Sequence, residues 1–144
     1  MRPINEMHLE FPSRSANESF ARTAVASFLA QLDPAVDEVA DVRTAVSEAV
    51  TNCIVHAYPD CLGPVLVQVR LYENGRVVIK VRDKGCGIPD VAKAMEPLYT
   101  TGGEDRSGLG FSVMESFTDR IRVASRVGKG TTVTLEKYIA VRQR

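Results

Sequence analysis

Three side chains capable of chemistry recur at every fourth position in one stretch of this sequence: Glu48, Asn52 and His56. At about 100° per residue, an i, i+4, i+8 spacing keeps them near one face of a helix. The residues around them (Ala45, Val46, Ala49, Val50, Cys53, Ile54, Val55) are small or apolar. An unpartnered polar group in that setting is costly, and a ligand is one way to satisfy it. Glu48 suits proton abstraction from a hydroxyl or a water, and the amide oxygen of Asn52 suits a hard cation such as Mg²⁺. His56 suits either the same site or a hydrogen bond at the helix end. A solvated helix face carries the same ladder, so spacing alone leaves both readings open.

Three glycine-bearing segments follow. In Asp83-Lys84-Gly85-Cys86-Gly87-Ile88-Pro89 the glycines permit positive φ or close approach of backbone to a ligand. Asp83 offers a carboxylate to an exocyclic amine such as that of adenine, or is the exposed acid of a tight turn. Ser107-Gly108-Leu109-Gly110 opens a helix whose free N–H groups favour phosphate, or is merely a capped helix start. Gly128-Lys129-Gly130-Thr131-Thr132, taken alone, is a hairpin turn. Arg106, just before the glycine entrance, is placed either to meet a terminal phosphate as charge develops or to bridge to solvent. Cys53 and Cys86 flank these residues and read as buried small side chains, with a redox role as the alternative.

The elements that must position these groups are legible from periodicity. Glu6 to Phe11 alternates polar and apolar residues ahead of Pro12, the pattern of a strand. Ser15 and Asn17 begin a helix with Glu18 in the place of a capping-box acid, and Asp33-Pro34 ends it. A second helix runs from about Ala35 to Ala57, with Val39, Val42, Val46, Val50 and Ile54 as its apolar stripe. Val65 to Tyr72 and Arg76 to Arg82 form a hairpin around Asn74-Gly75. A short helix near Asp90 to Met95, a polar and mobile stretch from Pro97 to Ser107, and a helix from Gly108 to Phe117 come next. Strands at Arg120 to Val127 and Thr131 to Lys137 complete the order, and the tail from Tyr138 to Arg144 reads as loose. This order does not alternate strand and helix, and no GxxxxGK[ST] occurs, which argues against Rossmann and P-loop designs. It suits one α/β domain spanning 1–144: a two-layer sandwich of a mostly antiparallel, mixed sheet with helices on one face.

At 144 residues the chain is the size of a single domain able to bury its own core. Lys plus Arg and Asp plus Glu number 18 each, for a formal net charge of +0, which argues against binding nucleic acid or membrane through bulk charge. Three cysteines without CxxC spacing suggest neither a disulfide framework nor a zinc site, and fit a reducing cytoplasm. No apolar run approaches the roughly 18 residues of a membrane span, and Met1 to Pro12 lacks the pattern of an export signal.

In this order and within one domain, the E-x-x-x-N-x-x-x-H helix, D-x-G-x-G-I-P, G-L-G and G-K-G-T-T resemble the GHKL ATPase family, which includes gyrase, MutL and the histidine kinases. The resemblance implies the GHKL (Bergerat) fold, binding ATP or ADP with Mg²⁺ between the helices and a lid. By that resemblance Glu48 is the general base, Asn52 holds Mg²⁺ and Asp83 reads adenine, with His56 at the edge of the site. Gly85 and Gly87 shape the pocket, Ser107, Gly108, Leu109 and Gly110 hold phosphates, and Thr131 or Thr132 closes the adenine end. Thr100 and Thr101 belong to the lid, which departs from the family in being glycine-rich and in lacking a lysine before Glu104-Asp105. His8 and His56 are the only histidines, and neither matches the phosphoacceptor of a histidine kinase.

Nearly the whole chain is similar to the sporulation branch of the bacterial anti-sigma serine kinases. The segments that carry this are Asn5 to Arg22, Ala45 to Tyr58, Val81 to Asp90, PLYTT at 97–101 and RSGLGFSVMESF at 106–117. The resemblance implies a homodimeric protein serine kinase that inhibits a sporulation sigma factor and phosphorylates a serine of its anti-anti-sigma antagonist. Dimerisation would use the first strand and adjoining helix, and Arg22 would meet partner proteins. The general stress-response anti-sigma kinases share the chemistry, and a nucleotide-gated sigma-binding module without kinase activity is the non-enzyme alternative.

Overall fold

The computed structural model describes residues 2–96 and 110–140. Among the described residues five strands form one sheet: β1 (Asn5–Pro12), β2 (Pro64–Leu71), β3 (Arg76–Asp83), β4 (Arg120–Arg126) and β5 (Gly130–Tyr138). Their order across the sheet is β1-β2-β3-β5-β4, and every pairing among the described residues is antiparallel, where a mixed sheet was expected. Alternation explains which face is covered. Val65, Val67, Val69 and Leu71 of β2 and Val77, Ile79 and Val81 of β3 are buried under the helices. Val133 and Leu135 of β5 extend that layer, and Met7, Leu9 and Phe11 of β1 continue it at the edge.

The covering layer is α1 (Ala16–Leu29), α2 (Val36–Asn52) and α4 (Gly110–Ser116), with a short α3 (Val91–Ala94) beside the sheet. On α2 the buried stripe is Val42, Ala45, Val46, Ala49 and Val50, with Val39 and Ile54 packed partly against it. The α2 start is held by Glu38, which accepts the Ala35 amide at 2.8 Å. The capping box expected at Ser15 does not form, because Glu18 is drawn across to α2, where its Oε1 accepts the Ser47 hydroxyl. Asn17 instead donates to the Pro12 carbonyl at 2.9 Å. The first helix also stops as an α-helix earlier than Leu32, tightening into a 3₁₀ turn over Ala30–Leu32.

Two further departures concern positions near the site. The expected single helix to Ala57 changes at Cys53, where Cys53–Ala57 winds as a π turn. The tail is not loose throughout: Ile139 is buried in the core and its N–H donates to Gly75 O at 2.8 Å. No helix among the described residues is long and apolar enough to cross a membrane.

Candidate functional site

The start of α4 lies directly against the polar ladder of α2. A Cβ built on Gly110 would sit 3.3 Å from Asn52 Oδ1 and 3.5 Å from Glu48 Oε2. The absent side chain of Gly110 therefore lets the helix start close on both polar groups, which are only half-buried and so reachable by a ligand. Among the described residues no three His, Cys, Asp or Glu side chains gather as a metal cage. A single amide oxygen, Asn52 Oδ1, fits the way Mg²⁺ is usually held, through one or two protein oxygens plus substrate phosphates.

Asp83, at the end of β3, is buried, yet it has defined partners. Its Oδ1 accepts the Gly85 N–H at 3.0 Å and the Thr131 N–H at 3.1 Å. Both bonds fall on one oxygen, so the carboxylate is oriented by backbone and its other oxygen is free of these two tethers. Cys53, the residue after Asn52, lies beside it. Burial pushes the Cys53 thiol well above its ordinary range, and the neighbouring Asp83 carboxylate adds to the effect. Glu48, Asn52 and Asp83 thus belong to one site: Cys53 is five residues, or about 7.5 Å of helix rise, beyond Glu48.

The loop after Asp83 is stitched on both sides. Cys86 N donates to Ala57 O at 3.0 Å, and Cys86 O accepts Gly128 N at 2.8 Å. A Cβ on Gly85 would overlap the Ala57 carbonyl, and Gly87 has φ 77° with the Arg126 carbonyl where a Cβ would be. Both positions therefore require glycine for close approach, and Gly87 also for its left-handed backbone. Tyr58 OH accepts the Lys84 N–H at 2.6 Å and donates to Pro64 O at 2.7 Å. Burial raises the Tyr58 pKa, an effect partly offset by the Lys84 amide. Ser125 Oγ accepts the Ile88 N–H at 2.8 Å and lies 2.8 Å from Thr131 Oγ1.

Sequence reasoning missed Tyr58 and Ser125 as positioning residues. Ser125 was detectable, because it continues the inward phase of Ile121 and Val123 on β4 with a hydroxyl; Tyr58 carries no comparable signal. Of the two threonines named for the adenine end, Thr131 lies beside Asp83, to which its N–H donates. Thr132 is turned by the pleat to the opposite face of the sheet, where it pairs with Arg82 and Ala124. His56 lies in the π turn, whose i→i+5 bonding carries it off the α-helical phase shared by Glu48 and Asn52. Its carbonyl accepts the Cys86 thiol at 3.2 Å.

Arg22 is away from this pocket, on α1. Its Nε is 3.6 Å from Glu18 Oε2, too far for a hydrogen bond, and is buried without a hydrogen-bond partner among the described residues. Thr100, Thr101, Arg106, Ser107, Gly108 and Leu109 lie outside the described residues, as does the polar stretch expected to be mobile.

Residues 11–137 match the family model described as a histidine kinase-like ATPase domain. The chain is 54% identical to an anti-sigma F factor of Caldanaerobacter subterraneus subsp. tengcongensis, covering 94% of each chain. It is 56% identical to that of Geobacillus kaustophilus, again over 94% of each. Among solved structures, the RsbU and RsbW domains of a Mycobacterium tuberculosis protein superpose with a TM-score of 0.71 at 22% identity, over 99% of this chain and 34% of that one. A mycobacterial sensor histidine kinase, MprB, superposes with a TM-score of 0.60 at 16% identity, over 94% of this chain and 100% of that one. At these identities the structural likeness shows a shared fold.

Proposed function

The chain belongs to the histidine kinase-like ATPase family and, within it, to the anti-sigma F factors, and on that premise we propose that it is a Mg-ATP-dependent protein serine kinase that inhibits a sporulation sigma factor. Its phosphorylation substrate is a serine of an anti-anti-sigma protein, and it acts as a homodimer in the cytoplasm. The observation that carries this reading is the meeting of Glu48, Asn52 and Gly110 at the C-terminal end of α2, with Asp83, braced by two amides, beside Cys53 just beyond them.

In the transfer step Glu48 accepts the proton of the target serine hydroxyl. The serine oxygen forms a bond to the γ-phosphorus as the bond to the bridging oxygen of ADP breaks. Asn52 would hold Mg²⁺, whose charge would offset that of the phosphates; Asp83 accepts the adenine amine, and Thr131 lines that end. The Gly108–Gly110 entrance holds the phosphates and Arg106 meets the terminal one. Such positioning is most of what phosphoryl transfer asks of a protein. Arg22, on α1 with 40% of its side chain exposed beside Glu18, is a contact for partner proteins.

The test is Glu48→Gln incubated with labelled ATP and the anti-anti-sigma protein. ATP affinity is expected to stay within about twofold, while label on the substrate serine falls by about 10²-fold or more. Unchanged transfer removes Glu48 from the base role. Label-free but ATP-dependent sigma binding by the unaltered chain replaces the kinase with a nucleotide-gated module.

A further inference from the structure

The sheet face turned away from the helices takes no part in the nucleotide site, and its charges are unevenly matched. Lys80 on β3 pairs with Thr134 on β5, which pairs in turn with Arg122 on β4; Arg82 pairs with Thr132, and Arg126 lies further along β4 on the same face. Arg82, Arg122 and Arg126 are exposed and Lys80 is half-buried. Two other arginines of the sheet have carboxylates: Arg70 meets Glu6 at 3.0 Å and Arg76 meets Glu136 at 2.5 Å. Among the described residues, Lys80, Arg82, Arg122 and Arg126 have no ion pair. Like charges gathered on a sheet face are destabilising, and nothing in the packing of this fold calls for them.

Their spacing describes a shallow trough. Thr132 and Thr134 form its hydroxyl floor, with Lys80 and Arg82 on one flank and Arg122 and Arg126 on the other. Two inter-strand steps separate the flanks by about 9.5 Å, and Lys80 and Arg82 are about 6.8 Å apart along β3. That second distance is the i, i+2 repeat of an extended polypeptide, whose alternate side chains point to opposite sides.

We propose that this face docks an extended acidic segment of a partner protein, lying along β5 with its carboxylates directed alternately to the two flanks. Charge complementarity selects the occupant. Single-stranded nucleic acid is disfavoured because no aromatic ring stands among the six residues to stack a base. The formal net charge of +0 also denies the chain a long-range field for a polyanion. The face is separate from Glu48, Asn52 and Asp83, so docking here does not require an occupied nucleotide site.

The test uses the full chain and a fluorescent peptide of about ten residues with glutamates at successive positions, so that neighbouring carboxylates face opposite flanks, read by anisotropy. Binding is expected to weaken as salt rises from about 0.05 to about 0.5 M. The double variant Lys80→Glu, Arg122→Glu is expected to lose about tenfold or more in affinity, with ATP binding unchanged as the check that it folds. Arg43→Glu, on α2 and away from the face, is expected to bind the peptide like the unaltered chain. Equal peptide binding by the double variant overturns the proposal. Tighter binding of a single-stranded oligonucleotide of the same charge count, lost in that variant, overturns it in favour of a nucleic-acid surface.

Discussion

Replacing Asp83 separates its bracing of the loop, for which the structure gives a bond count, from the proposed reading of adenine. Its Oδ1 accepts two backbone amides, Gly85 N–H at 3.0 Å and Thr131 N–H at 3.1 Å, in a residue only 6% exposed. Asn is nearly isosteric, and its amide oxygen can keep both bonds. The Asn nitrogen then occupies the position of Oδ2 and presents a donor where the adenine amine needs an acceptor. Loss of one hydrogen bond to a charged group costs about 1.5–3 kcal/mol, so Asp83→Asn is expected to weaken ATP binding between about tenfold and about 150-fold. Its nucleotide-free stability should change by less than about 1.5 kcal/mol. Asp83→Ala instead strands two buried N–H groups at about 1–3 kcal/mol each, so about 2–6 kcal/mol is lost from a domain whose whole stability is about 5–15 kcal/mol. Calorimetric titration with ATP and urea unfolding without nucleotide read the two quantities independently. Should Asp83→Asn bind ATP within about twofold of the unaltered chain, the carboxylate is a turn staple and its reading of adenine is refuted.

Gly110→Ala makes the opposite pairing of effects. An alanine favours the helix by up to about 1 kcal/mol, but its methyl would sit 3.3 Å from Asn52 Oδ1 and 3.5 Å from Glu48 Oε2. Thermal stability is expected to hold or rise while phosphotransfer drops about tenfold, since displacements well under 1 Å matter at a reacting centre; retained transfer would separate Gly110 from the site. Glu136, far from the pocket, provides a pH test. Its hydrogen bond and attraction to Arg76 hold its carboxyl below the usual carboxylate value. The contribution is therefore present above the unfolded carboxylate pKa and lost as pH falls through the folded one. Urea unfolding should show the unaltered chain more stable than Glu136→Gln at neutral pH and that advantage gone in strong acid; an advantage that survives acidification contradicts the assignment.

What could be read from the sequence depended on how local each signal is. The β2–β3 hairpin around Asn74-Gly75 and the valine stripe of α2 follow from periods of 2 and 3.6 and emerged with small boundary changes. The Glu48–Asn52 ladder is equally local. The capping box at Ser15 failed because a competing donor, the Ser47 hydroxyl, came from a helix nearly thirty positions away and took the Glu18 carboxylate. Winding of Cys53–Ala57 as a π turn likewise has no periodic signature, and it accompanies the docking of the Asp83 loop onto the Ala57 carbonyl. Thr131 and Thr132 are indistinguishable by type, and only strand register separates them.

Helix and strand periodicity and backbone sterics make the main elements, the candidate ladder and the glycines readable from the residues alone. Tertiary structure decided which of those groups share one site. It set the start of α4 against Asn52 and Glu48, turned Asp83 inward under two amides, and sent Thr132 with three arginines and a lysine to the opposite face. The reason is physical: contacts between residues distant in the chain depend on sheet order and register, which are fixed by burial of the entire core and by no single segment.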